Sequence, residues 1–217
     1  MPKITAVEIQ KKNPRRFNVF LDGEFAFGAD EDLIVSRRLV VGKNVEPQDL
    51  EKILFEAEVG KLMERMYRLF SVRARSEKEV RDYLNRLSYQ RKAKDKEEIS
   101  QLAVDFLVER LKQKGMLNDI QFAQNWVSAR VKKKGRVAIK IELIKKGVNR
   151  EVINESLGQI REEDEIKLAQ QTLEKKLKNW TNLPQMEFRK KAYAFLMRRG
   201  FDYEIVKSVV ENILKKV

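Results

Sequence analysis

The sequence predicts a mainly α protein, with tandem three-helix repeats in an elongated array behind a small β-rich N-terminal domain. Three observations carry this. Strand-type alternation and an Asp-Gly turn are confined to the first part of the chain, residues 1–47. Helical periodicity takes over after Pro47, where glycine and proline become sparse. A helix–helix–helix unit then recurs three times, each time with an apolar-basic middle helix. The expected domains are the β-rich segment 1–47 and repeats at 48–117, 118–161 and 162–217.

In the first segment ITAVEIQ alternates, and FNVFLDGEFAFG is two short apolar runs joined by Asp22 and Gly23. Asp-Gly supplies the positive φ angles of a type I′ hairpin. A short helix is expected near 30–38, and LVVGKNV reads as a further strand. This segment holds 8 cations and 7 anions, so it is not the source of the basic charge.

Pro47 suits a first helical turn, where its missing N–H costs nothing. The helix expected at 48–70 places Leu50, Leu54, Ala57, Leu62, Met66 and Leu69 on one stripe. Ser76 and Glu79 have capping-box spacing for a helix at 76–88, and Asp95 and Glu98 repeat it for a helix at 95–114 carrying Ile99, Leu102, Phe106 and Leu107. That helix ends at Gly115, and Asn118 caps the next. The second set is expected at 118–133, 136–146 and 149–160, and the third at 162–179, 184–199 and 202–216. The third helix of each set starts at a capping residue: Asp95, Asn149 and Asp202.

LIKKGVNREVI and LMRRGFDYEIV share a cation-cation-glycine unit. Gly147 and Gly200 read as left-handed C-caps, and the preceding cations complement the negative end of a helix dipole. A phosphate-cradling loop would need glycine-rich backbone at a helix N-terminus, and these glycines follow a helix instead.

The net charge of +13 points to an acidic partner. Its focus is residues 130–150, where Arg130, Lys132, Lys133, Lys134, Arg136, Lys140, Lys145, Lys146 and Arg150 face the single acid Glu142. Two readings stand: a solvated helix–loop–helix face, or a contact with phosphates or an acidic protein surface. Phe122 and Trp126 are either core or, less in keeping with a helical setting, a base-stacking pair. Tyr83, Tyr89 and Trp180 are uncommitted.

The chain has no cysteine and no histidine, which removes disulfides, thiol nucleophiles, zinc fingers and histidine bases. Gly23 and Gly28 have P-loop spacing, but Ala29 and Asp30 follow in place of Lys-Ser/Thr. The acids Glu162, Glu163, Asp164 and Glu165 read as helix N-terminal residues, not a metal site. No catalytic constellation, cofactor or metal is expected. The N-terminus lacks an apolar signal region and no run reaches about 18 apolar residues, so a cytoplasmic protein without membrane contact is expected.

Several local signatures resemble the RecX family, regulators of the bacterial recombinase RecA. Arg73, Ser76, Glu79, Arg81 and Leu84 match R-x-x-S-x-x-E-[LV]-R-x-x-L. Gly115, Leu117, Asp119, Phe122, Ala123, Trp126 and Arg130 match a second stretch, with Met116 standing where the family usually has another residue. Ile139, Glu142, Leu143, Lys146, Gly147 and Val148 match I-x-x-E-L-x-x-K-G-[IV]. The β-rich start resembles the N-terminal extension of longer, Firmicutes-type members. The resemblance covers nearly the whole chain and is specific over 73–148. It implies a monomeric, non-enzymatic regulator that binds the RecA filament on single-stranded DNA and inhibits ATP hydrolysis and strand exchange, within recombination, DNA repair and the SOS response. The alternative is a module that binds single-stranded DNA directly and competes with RecA for it.

Overall fold

The computed structural model describes residues 1–177, 180 and 183–215. The expected helix ends at 178–179 and at 216, and the expected repeat end at 217, lie outside the described residues.

The N-terminal sheet has three antiparallel strands in the order β1 (Ile4–Gln10), β2 (Asn13–Leu21) and β3 (Glu24–Asp30). Asp22 and Gly23 join β2 to β3 with φ of 50° and 89°, the pair of positive angles a tight hairpin requires. Asp22 also accepts the Lys3 N–H at 2.9 Å. Val19 pairs with Val7 on one side and Phe27 on the other, and Val19, Phe27 and Ala29 turn into the core. Asp30 caps the short α1 (Glu31–Ser36) by accepting the Leu33 N–H.

LVVGKNV is not a strand. Leu39 and Val45 are buried anchors, Val40 and Val41 point outward, and Gly42 turns the chain with φ of 93°. Ile4 exchanges backbone hydrogen bonds with Lys43 and Gly42, and one isolated bridge joins Lys3 to Asn44. The apolar run reflects two separate core contacts with a reversal between them.

Helix α2 (Pro47–Val72) opens with proline in its first turn. It serves two cores. Ile53 and Ala57 pack with the sheet, while Val59, Leu62, Met63 and Met66 pack with α3 (Glu77–Lys92) and α4 (Gln101–Gln113). The single stripe expected here is therefore wrong in detail: Leu54 is exposed and Ile53 is buried. The change of core midway is why one periodic stripe cannot describe the helix.

The helix expected from Asp95 starts six residues later. Asp95 has φ of 51° and its N–H bonds back to Lys92 O, so it terminates α3 rather than capping α4. Ser100 is the N-cap, accepting the Ala103 N–H. Ile99 lies before the helix, held by its N–H on Ser88 Oγ at 3.0 Å. The buried face of α4 is Ala103, Val104, Leu107, Val108 and Leu111, and Leu102 and Phe106 are exposed. Leu84, Leu107 and Leu111 are fully buried in this core, each worth about 1.5–3 kcal/mol over the exposed state.

Six further helices follow: α5 (Asp119–Arg130), α6 (Arg136–Lys145), α7 (Arg150–Gly158), α8 (Glu162–Leu177), α9 (Gln185–Arg198) and α10 (Tyr203–Leu214). Asn118, Asn149 and Asp202 cap α5, α7 and α10 through side-chain oxygens. Phe122, Ala123, Val127, Ile139, Leu143, Ile153 and Leu157 form one core. Ala169, Leu173, Phe188, Ala192, Leu196, Phe201 and Val206 are among the residues of another, with Trp180 packed edge-on to Phe188 and Phe195. Tyr83 packs against the α2–α4 core, and Tyr89 is exposed.

By contact the chain forms two compact units. One holds residues 1–74 and 80–117, and the other holds 75–79 with 118–217.

Candidate partner surface on the second repeat

The nine cations of 130–150 do not form one class. Four are half-buried and paired. Arg130 Nε lies 2.5 Å from Glu142 Oε2, and Lys134 pairs with the other oxygen of the same carboxylate. Trp126 donates its indole N–H to Glu142 at 2.8 Å, and the Arg130 guanidinium stacks 3.4 Å from the Trp126 ring centre. Burial alone would raise the Glu142 carboxyl. The hydrogen bonds from Lys134 and Trp126, with the charges of Lys134 and Arg130, outweigh it and hold the group below its usual range. Lys146 pairs with Glu79 at 2.5 Å and lies 5.2 Å from the Trp126 ring. Phe122 is buried beside Trp126. This settles the aromatic pair as core and as a platform for the protein's own arginine.

Arg136 is the fourth. Its Nε lies 2.8 Å from Glu165, its Nη2 donates to Ile160 O at 2.7 Å, and its backbone N–H donates to Glu165 at 2.7 Å. Glu165 is buried. Burial pushes its carboxyl up, while Arg136 opposes that through the backbone hydrogen bond and its charge. Among the described residues no group of acids has the arrangement of a metal site.

The glycines complete a joint that occurs twice. The Ser76 hydroxyl is fully buried, accepts the Glu79 N–H at 3.3 Å and donates to Lys146 O at 2.7 Å. Asp119 accepts the Glu77 N–H at 2.9 Å. Gly147, with φ of 75°, follows Lys146, and a Cβ there would sit 2.5 Å from the Lys78 Cβ. In the second copy Gly135 N–H donates to Arg199 O at 3.1 Å and Val137 N–H to Gly200 O at 3.0 Å. Gly200 has φ of 81°, and a Cβ there would meet the Ala138 Cβ at 2.2 Å. So the start of α6 seats on the end of α9, as residues 76–79 seat on the end of α6. Positive helix starts meet negative helix ends, with an acid from a later helix on the first N–H. Gly115 also has positive φ, at 67°, but a Cβ there would meet nothing.

The other five cations, Lys132, Lys133, Lys140, Lys145 and Arg150, are exposed and have no ion-pair partner among the described residues. Two of them flank an apolar stripe. Val137, Ile141 and Ile144 lie at i, i+4 and i+7 of α6 and are 40%, 47% and 47% exposed. Ile139 and Leu143 fill the opposite, buried face. Lys140 and Lys145 therefore border the outward stripe at helical spacing. Sequence reasoning missed this stripe because an apolar residue on a short helix reads as core. The acids Glu79 and Glu165 were equally hidden, being 67 and 29 residues from the groups they meet.

Comparison with known proteins places the chain. Residues 2–46 match the Regulatory protein RecX N-terminal domain, 118–157 the second three-helix domain of RecX, and 162–210 the third. The chain is 34% identical to Regulatory protein RecX of Bacillus subtilis (strain 168), over 98% of this chain and 78% of that protein. It is 33% identical to Regulatory protein RecX of Clostridium botulinum (strain Alaska E43 / Type E3), over 99% of this chain and 97% of the other. A crystal structure of regulatory protein RecX superposes with a TM-score of 0.75 at 24% identity, covering 97% of this chain and all of the other (100%). A crystal structure of RecX from Lactobacillus salivarius gives 0.62 at 20% identity, covering 71% and 95%. Full-length identity, three matched domains in order and the shared fold agree: the chain belongs to the RecX family of regulatory proteins.

Proposed function

We propose that this chain regulates the RecA recombinase by binding its filament on single-stranded DNA and restraining ATP hydrolysis and strand exchange, so modulating recombination and repair. The observation that carries the reading is the outward face of α6. An apolar stripe of Val137, Ile141 and Ile144 between Lys140 and Lys145 suits a protein surface with an apolar centre and acidic rim. A surface built for phosphate alone has no use for three exposed aliphatic side chains. Repeats at 48–117, 118–161 and 162–217 would each offer a contact, and weak contacts on one filament multiply through effective concentration.

The test is RecA ATP hydrolysis on single-stranded DNA with this protein titrated in at fixed salt, repeated with a large excess of DNA. Loss of hydrolysis at protein levels below RecA, unrelieved by DNA, is the expected result. Loss only near saturation of the DNA, rescued by more DNA, sinks the proposal and leaves direct competition for single strands.

A further inference from the structure

Lys61, on α2, stands between two clefts of the N-terminal unit and lines both. The two differ in chemistry. One, of about 680 Å³, carries Lys12, Arg15, Arg16, Arg65 and Arg68 against the single acid Glu64. The other, of about 470 Å³, has an apolar wall that includes Phe25, Phe27, Leu54 and Ala57. Phe25 and Leu54 are 59% and 41% exposed, so that wall is open to an incoming group. The acids nearest Lys61 are already taken. Glu58 pairs with Arg91, and Glu64 is held by Arg16 at 3.3 Å and by Arg68 at 3.8 Å. Across the smaller cleft Glu98 pairs with Lys92 at 2.7 Å, beside Lys96 and Glu97. Lys61 itself is exposed and has no ion-pair or hydrogen-bond partner among the described residues.

We propose that Lys61 is a modification site, acylated without an enzyme by acyl phosphates whose phosphate rests on Arg65 and Arg15 and whose acyl group enters the cleft of Phe25 and Leu54. Arg65 lies one turn along α2 from Lys61, on the same face, and Arg15 faces it from β2. Arginine forks take phosphate oxygens in pairs and stabilise the dianion as it departs. In the step the neutral Lys61 Nζ attacks the acyl carbon. A C–N bond forms, the bond from that carbon to the phosphate oxygen breaks, and the amine proton leaves with the phosphate as HPO4²⁻. Desolvation holds the Lys61 ammonium below the usual range, and Arg91, Arg16 and Arg65 push the same way against Glu58, so the free amine is more accessible than on a solvated lysine. The amide product carries no charge. Acylation therefore relieves the crowding of like charges and lays the acyl chain on apolar side chains. Lys12 lines the cationic cleft but not the apolar one, and Lys140 lines neither.

The experiment treats the full chain with acetyl phosphate and follows acetylation of each lysine over time by peptide mass spectrometry. Lys61 is expected to react at least about fivefold faster than Lys12 and Lys140. Arg65→Gln is expected to slow Lys61 about three- to fivefold, the worth of one exposed ion contact. Its thermal melt matches the parent, because Arg65 has no ion-pair partner among the described residues. Excess inorganic phosphate at constant ionic strength slows Lys61 and leaves Lys140 unaffected. With p-nitrophenyl acetate, a donor that has no phosphate, the preference for Lys61 shrinks and inorganic phosphate has no effect. Lys61 reacting no faster than Lys12 and Lys140 overturns the proposal. A preference that p-nitrophenyl acetate reproduces in full overturns it equally, because the amine alone would then account for it.

Discussion

Glu165, in the first turn of α8, accepts the backbone N–H of Arg136 at 2.7 Å and so caps a helix 29 residues upstream. Asp119, the first residue of α5, does the same for Glu77. Glu165→Ala leaves that N–H and the Arg136 guanidinium unmatched and is expected to cost about 2–3 kcal/mol in chemical denaturation. Glu165→Gln keeps an acceptor and costs less. Burial raises the folded-state pKa of Glu165, so its protonated form favours folding below the unfolded value. That contribution is lost as pH rises through the folded value, and a pH series of Glu165→Gln lacks the drop.

The two joints separate glycines that look alike in sequence. Gly115→Ala meets open space and is expected to cost about 1 kcal/mol, the ordinary price of a left-handed Cβ. Gly200→Ala adds a Cβ 2.2 Å from Ala138 and is expected to cost at least about twice as much. Gly147→Ala falls between, because the Lys78 side chain can move further than backbone. Urea denaturation of the three variants checks the order.

Glu142→Gln is expected to lower stability at pH 7 by about 1–2 kcal/mol, discounted for the exposure of Lys134 and Arg130. The folded pKa of Glu142 is depressed, so its contribution is present above the unfolded value near 4.5 and lost as pH falls through the folded one. Thermal melts of parent and variant should therefore converge in acid. A gap that stays constant as pH falls from 7 through the acid range sinks this account.

Charge reversal at Lys132, Lys133, Lys140 and Arg150 is expected to weaken the effect on RecA with the melting temperature unchanged; Lys145 is kept, because it complements the C-terminal end of α6. Arg130→Ala does the opposite, because it removes the guanidinium stacked on Trp126. A set built from Lys132, Lys133 and Lys134 would mix the two effects, since Lys134 is paired to Glu142.

Ile141→Ser with Ile144→Ser is expected to weaken action on RecA by roughly tenfold at any salt concentration, since about 1–2 kcal/mol of apolar contact is lost. Reversal of the flanking lysines instead gives a loss that shrinks as salt rises. ATPase titrations at two ionic strengths distinguish them.

Much of the fold was legible because its signals are local. Asp22 and Gly23 announce a hairpin, and Asn118, Asn149 and Asp202 each precede a periodic apolar run. The choice between Asp95 and Ser100 was not legible, because both are capping types. It was decided by the burial of Ile99 and the reach of Ser88, which only the packed structure supplies. The nine cations read as one cluster for the same reason. Their sorting depends on Glu142, which takes Arg130 and Lys134, and on Glu79 and Glu165, brought in from distant parts of the chain.

Helix α2 puts Ile53 and Ala57 in the sheet core and Leu62 and Met66 in the next core within a single rod of backbone hydrogen bonds. A cut at residue 47 would strip the sheet of its covering helix turn and leave that turn greasy and bare. The N-terminal domain is thus a boundary in sequence that need not be one in unfolding. Amide exchange in β2 and in the second half of α2 should proceed through one shared opening event, and a fragment made by excising residues 1–47 should be prone to aggregate.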